Sequence, residues 1–169
     1  MIFVEVQFIQ CKIFNTIFNN LEANGKCKFL LCDFDKTNFL NINGDFIFEN
    51  CKFSNIKITD SQNSKFTFIA CTIENLTFGG DLLHNIKVSF NKCIITNKLN
   101  IQKQTKWFNV EINNTYIQSI EIKAAVAKEV KIRNNSIINC SSNMYTIITR
   151  HSNKDNSSII REHKYEKYS

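Results

Sequence analysis

A period of five residues nested in a period of about twenty constrains this chain more than any other feature. Between Phe46 and Phe78, large apolar side chains recur at Phe48, Phe53, Ile58, Phe68, Ile73 and Phe78. Two residues before each stands another buriable side chain: Phe46, Cys51, Ile56, Phe66, Cys71 and Leu76. Phe48 and Phe68 are twenty positions apart, as are Cys51 and Cys71, Phe53 and Ile73, Asn55 and Asn75, and Ile58 and Phe78. Neither a 3.6-residue helix nor a period-2 strand generates this pattern. A unit repeated at fixed spacing buries its apolar side only by stacking on its neighbours. The expected fold class is therefore all-β: a parallel β-helix solenoid of four-sided coils, each side one five-residue unit.

Carried outward, the repeat draws four columns. The first side passes through Phe8, Phe29, Phe48, Phe68, Phe90, Ile112 and Ile132. The second passes through Ile13, Phe34, Phe53, Ile73, Ile95, Ile117 and Ile137. The third passes through Phe18, Phe39, Ile58, Phe78, Ile101 and Ile122. The fourth is weaker and is expected through Phe3, Ala23, the region of Ile42 to Gly44, Asn63, Leu83, Trp107, Ala127 and on to Ile147, with the irregular units and insertions on this side. Asn15, Asn55, Asn75, Asn97 and Asn139 fall at one corner, where stacked amides form a partial ladder. Residues 1–150 are expected to form the coil and residues 151–169 a polar, basic tail. Asp155, Asn156 or Ser157 is placed to cap a short helix through Tyr168 that covers the last coil.

Composition narrows the function classes. Pro is absent and Gly numbers only 4, so Asn is expected at the corners, because it tolerates left-handed backbone. The formal net charge of +6 is modest and dispersed, which argues against nucleic acid as a partner, since that needs a clustered basic stripe. No apolar run approaches the ~20 residues of a transmembrane helix. The opening MIFVEVQFIQCK contains Glu5 and lacks a basic region, so it does not resemble a signal peptide. Seven cysteines without such a signal suit a reducing, cytoplasmic setting.

The residues that carry chemistry elsewhere are poorly arranged for it here. Cys11, Cys32, Cys51, Cys71 and Cys93 recur at steps of about twenty and at one place in the unit. That favours small buried thiols filling an inward position over zinc ligands, which cluster as close pairs. Cys27 and Cys32 are near in sequence but on adjacent sides of the coil. His84, His151 and His163 have no Cys or carboxylate at ligand or triad spacing. Gly79-Gly80-Asp81 suits a corner, because no helix with Lys-Ser/Thr follows to cradle a phosphate. Lys103, Lys106, Trp107 and Phe108 form a basic-aromatic cluster, expected to cover a bulged corner rather than stack bases. No catalytic, cofactor or metal site is expected. The core ladder of Phe8, Phe29, Phe48, Phe68, Phe90, Ile13, Phe34, Phe53, Ile73, Ile95 and the five cysteines is the structural counterpart.

Units such as CKFSN, CTIEN and CIITN resemble the pentapeptide repeat family, over about residues 1 to 148. This chain departs from the family's usual unit in placing Cys, Thr, Val, Ile or Phe where Ala is common, and Ile where Leu is common. The resemblance implies a right-handed, four-sided β-helix with the central residue of each unit, and the one two before it, pointing inward. It also implies two function classes. One is a structural or protein-interaction module that docks through faces and ends. The other is mimicry of DNA against a topoisomerase such as gyrase, which needs an acidic face and is opposed by the positive charge. The N-terminal coil, bordered by Ile2, Phe3, Val6 and Phe8, is expected to be an uncapped edge that associates with itself or with upstream repeats.

Overall fold

Alternation within each unit sends every second side chain toward a shared interior, and short polar residues between units turn the chain. The computed structural model describes residues 2–3, 5–102, 108–122, 127–141, 144, 148 and 152–163. Among them the strands form two parallel sheets of nine and ten strands. These wind a solenoid of about seven coils with roughly 21 residues per coil.

The first-side column is in register throughout: Phe8, Phe29, Phe48, Phe68, Phe90, Ile112 and Ile132 are successive Cα partners. The third side is likewise as expected, from Phe18 through Phe39, Ile58, Phe78 and Ile101 to Ile122. One sheet carries the fourth and first sides, the other the second and third. Glu22–Leu30 runs from Ala23 around a corner to Phe29, and Lys52–Thr59 runs from Phe53 to Ile58. In the first two coils the second and third sides are separate strands, Lys12–Phe14 with Ile17–Asn19 and Asp33–Asp35 with Thr37–Leu40. The breaks fall at Asn15 and Lys36, each with φ of 48°.

The interior is a lattice of rings. Along the axis Phe8, Phe29, Phe48, Phe68 and Phe90 stack at centroid spacings of 4.7, 5.1, 5.0 and 5.2 Å, with planes within 15° of parallel. Between sides the rings meet edge to face, as in Phe29 with Phe34 at 71° and Phe53 with Phe68 at 75°. Rung spacing of ~4.8 Å imposes the stack, and the offset and edge-on arrangements suit the ring quadrupole.

Corners are built by Asn. Among the described residues fifteen non-Gly positions have positive φ, and nine are Asn. The amides also ladder: Asn75 Nδ2 donates to Asn55 Oδ1 at 3.1 Å, and Asn97 Nδ2 to Asn75 Oδ1 at 2.9 Å. Further rungs join Asn41 to Asn20 and Asn85 to Asn63. Gly80 turns the third corner at φ +93°, where an added Cβ would lie 2.3 Å from Asp60 Oδ1.

Four expectations are corrected. In the second side the partner of Ile117 is Ile138, not Ile137, because the corner before it holds an extra residue, Asn135, beside Asn134. Ile138 is buried, whereas Ile137 faces outward. The fourth side runs through Phe3, Ala23, Gly44, Ser64, Ile86, Phe108 and Ala127. Asn63 is an exposed corner residue with φ of 48°, and Leu83 is buried one corner earlier. In the amide ladder, Lys36 follows Asn15 at the same corner, and Asn139 instead donates to the Tyr116 hydroxyl at 3.2 Å. Finally, no capping helix occupies residues 152–163. Ser152–Lys154 and Ile159–His163 pair with Ala127–Arg133 and Ile137–Ser141 as further rungs. Between them the Asp155 carboxylate accepts from the Asn134 and Ser158 amides at 2.7 and 3.0 Å and from Ser157 Oγ at 3.1 Å. That local bonding favours a turn over a helix N-terminus.

Candidate functional site

The thiol column begins with backbone geometry. At the corner between the first and second sides, Gln10, Leu31, Asn50, Ala70, Lys92, Asn114 and Asn134 all have φ between 47° and 56°. The residue that follows points inward and is small: Cys11, Cys32, Cys51, Cys71, Cys93, then Thr115. Asn135 is an extra corner residue before Ser136 in the next coil. Each thiol lies within reach of the carbonyl two residues back, from Cys11 to Ile9 at 3.5 Å through Cys71 to Ile69 at 3.4 Å. Four of them also reach a carbonyl of the preceding coil: Cys32 to Phe8, Cys51 to Phe29, Cys71 to Phe48 and Cys93 to Phe68, at 3.3–3.5 Å.

Thr115 and Ser136 continue the same role with hydroxyls. Their oxygens in turn accept from the corner amides of the coil before, Cys93 N to Thr115 Oγ1 and Thr115 N to Ser136 Oγ, each at 3.2 Å. Ser158 accepts from Ser136 N at 3.2 Å. The column therefore extends from Cys11 to Ser158 and saturates backbone groups turned inward at the corner. Its hydroxyl half escaped the sequence reading, although the spacing and the preceding Asn114 and Asn135 were available to find it.

All seven cysteines are free. Burial pushes the Cys27 and Cys32 thiols up to about 11. Cys71 is held above the ordinary thiol range by its neighbours Cys51 and Cys93 and then by burial. Neutral thiols bonded to carbonyls are poor nucleophiles and poor ligands. Among the described residues no three of His, Cys, Asp and Glu gather where they could hold a metal ion. His84 is exposed on the fourth side. Lys103, Lys106, Trp107, Ile147, His151 and the His163 side chain lie outside the described residues.

Among the described strands both ends pair on one side only, Ser152–Lys154 with Ala127–Arg133 and Ile159–His163 with Ile137–Ser141 at the last coil, and the ends differ in the side chains they present. Coil 1 pairs on one side only: Val6–Ile9, Lys12–Phe14 and Ile17–Asn19 each bond to the second coil alone among the described strands. Its inward residues Phe8, Cys11, Ile13 and Phe18 are only partly buried. Large outward side chains gather beside them: Ile9 is 52% exposed, Phe14 52%, Ile17 64% and Leu31 48%. At the other end the last described residue of the first-side column is Lys154, the rung after Ile132. Its ammonium donates to the carbonyls of Asp155 and Ser158, each at 2.8 Å. A cation in this column, bonded to the carbonyls of the following turn, disfavours an apolar rung at that one position. The sequence reading missed Lys154 because the expected helix hid its place in the column.

Outward charges alternate along the columns. Asp33 stands between Lys12 and Lys52, and Asp45 between Lys26 and Lys65. Glu111 stands between Ser89 and Lys131. Lys28 pairs with Glu49 at 2.6 Å, and Lys98 with Glu121. No registered pair of described strands sets two carboxylates on neighbouring rungs. Among the described residues no helix is long and apolar enough to cross a membrane. Comparison with family models, with curated proteins and with solved structures finds no match to this chain.

Proposed function

We propose that this chain is a structural and protein-interaction module of the pentapeptide-repeat type, a right-handed four-sided coil, and that it is not an enzyme. It docks through its ends and flat faces, and the N-terminal coil is the principal docking edge. The supporting observation is the asymmetry of the ends. Coil 1 offers half-buried Phe8, Ile13 and Phe18, while the last described coil sets the Lys154 ammonium in the first-side column. An exposed parallel edge is a template for another chain. Head-to-tail stacking on a second copy would bring Lys154 against the Phe8 ring, so the favoured arrangement is N-terminal coil to N-terminal coil, an isologous contact.

Light scattering on the purified chain tests this directly. The native chain is expected to show mass rising with concentration, and Phe8→Lys to hold it as a monomer. A clean monomer at high concentration, unchanged by Phe8→Lys, would remove self-association. Mimicry of DNA against a topoisomerase is the weaker reading. It needs carboxylates on successive rungs, and here each described carboxylate in register with a charged residue has lysine beside it.

A further inference from the structure

A second surface feature lies far from the N-terminal coil and owes nothing to that reading. On the wall formed by the fourth and first sides, two outward columns border a groove of about 410 Å³. One column is Lys65, Lys87 and Asn109, on consecutive rungs; the other is Ser89, Glu111 and Lys131. The backbone at Val88 and Val110 forms the floor. The volume falls in the lower part of the ~300–1,000 Å³ typical of small-molecule sites.

Three observations define what fits. Lys65 and Lys87 are exposed, form no ion pair among the described residues, and sit ~4.8 Å apart along the axis. Asn109 Oδ1 is buried without a hydrogen-bond partner, an uncompensated acceptor that a reorientation toward a donor would satisfy. Glu111 sets a carboxylate, an obligate acceptor, on the facing wall. Within the groove the cations Lys65 and Lys87 stand toward the N-terminal end, with Asp45 one rung before Lys65 outside the lining, acceptors stand at the middle and Lys131 at the far end. A uniform polyanion such as a nucleic-acid strand would meet Glu111, so the complementary ligand carries one compact anion next to hydroxyl donors.

We propose that this groove binds a phosphate monoester carried on a polyhydroxylated small molecule, such as a hexose phosphate. The phosphate lies between the ammonium groups of Lys65 and Lys87 and accepts from the Ser89 hydroxyl. The hydroxyls of the body donate to Glu111 and to the reoriented Asn109 amide.

The test is a titration of the isotope-labelled chain with glucose 6-phosphate, following the Val88 and Val110 amide resonances, with glucose and inorganic phosphate titrated in parallel. Saturable shifts at those amides are expected, with glucose 6-phosphate binding more tightly than either control. Lys65→Gln and Lys87→Gln should each weaken it about tenfold, the scale of a charge-assisted hydrogen bond. Glu111→Gln should weaken the sugar phosphate while leaving inorganic phosphate bound at least as well. All three positions are outward, so unchanged thermal melts will separate binding from folding. The proposal is overturned by the absence of saturable shifts, by lysine variants that bind as the native chain does, by inorganic phosphate binding as tightly as the ester, or by an oligothymidylate binding more tightly than the sugar phosphate.

Discussion

Ala70 is one of the residues whose type does not suit its backbone. It occupies a corner at φ 51°, where Asn50 and Asn114 serve other coils. Left-handed backbone costs a residue bearing Cβ roughly 1–2 kcal/mol, a penalty absent for Gly. Ala70→Gly should therefore stabilise the chain by roughly 1 kcal/mol in denaturant melts, opposite to the usual effect of glycine in a strand. A loss of stability would mean that this corner is not left-handed. The thiol next to it, Cys71, is buried, as are Cys27, Cys32, Cys51, Cys93 and Cys140. Alkylation of the native chain near neutral pH should modify none of these six, and unfolding should release them all. For Cys27 and Cys32 the folded value is raised from 9.0 to about 11. Their stabilising contribution is then complete below pH 9 and lost as pH rises from 9 toward 11, because the unfolded chain ionises first. Stability that is flat across this window would contradict the burial of these groups.

At the scale of a rung, inward position decides energy. Phe68 is fully buried, stacked on Phe48 and Phe90 and met edge-on by Phe53. Phe68→Ala should destabilise by about 3–5 kcal/mol. Asn63→Ala should cost much less, since Asn63 is an exposed corner whose amide bond to Asn85 spans only two rungs. Equal losses in denaturant melts would invalidate the assignment of sides. The columns through Phe8, Ile13 and Phe18 were legible in the sequence because bulky apolar residues recur there with one- or two-residue slips. The fourth side was not, because its inward residues are Ala23, Gly44 and Ser64, which no apolar period can mark. Ile137 and Ile138 are adjacent and chemically identical, so only the strand register could choose between them. The last rungs escaped for another reason: Lys154 and Ser158 are polar at inward positions, and a polar segment with Asp155 has the composition of a helix start. The groove walls join residues 22 positions apart on exposed faces, where side-chain type follows no period.

For the whole molecule, the account turns on the different side chains that the two described ends of the solenoid present. Its axial stack of Phe rings stiffens the coil, and its corner column ties each rung to the next through thiols and then hydroxyls. At the C-terminal end Lys154 donates to Asp155 and Ser158, while the Asp155 carboxylate holds residues 134 and 158 together. At the N-terminal end the first coil bonds, among the described strands, to the second alone. Hydrogen exchange measured residue by residue at two protein concentrations tests this difference most directly. The amides of 6–9, 12–14 and 17–19 should exchange quickly in dilute solution and gain protection as concentration rises, whereas those of 152–154 and 159–162 should not change with concentration. First-coil amides that ignore concentration, or last-rung amides that gain protection in their place, would contradict the account.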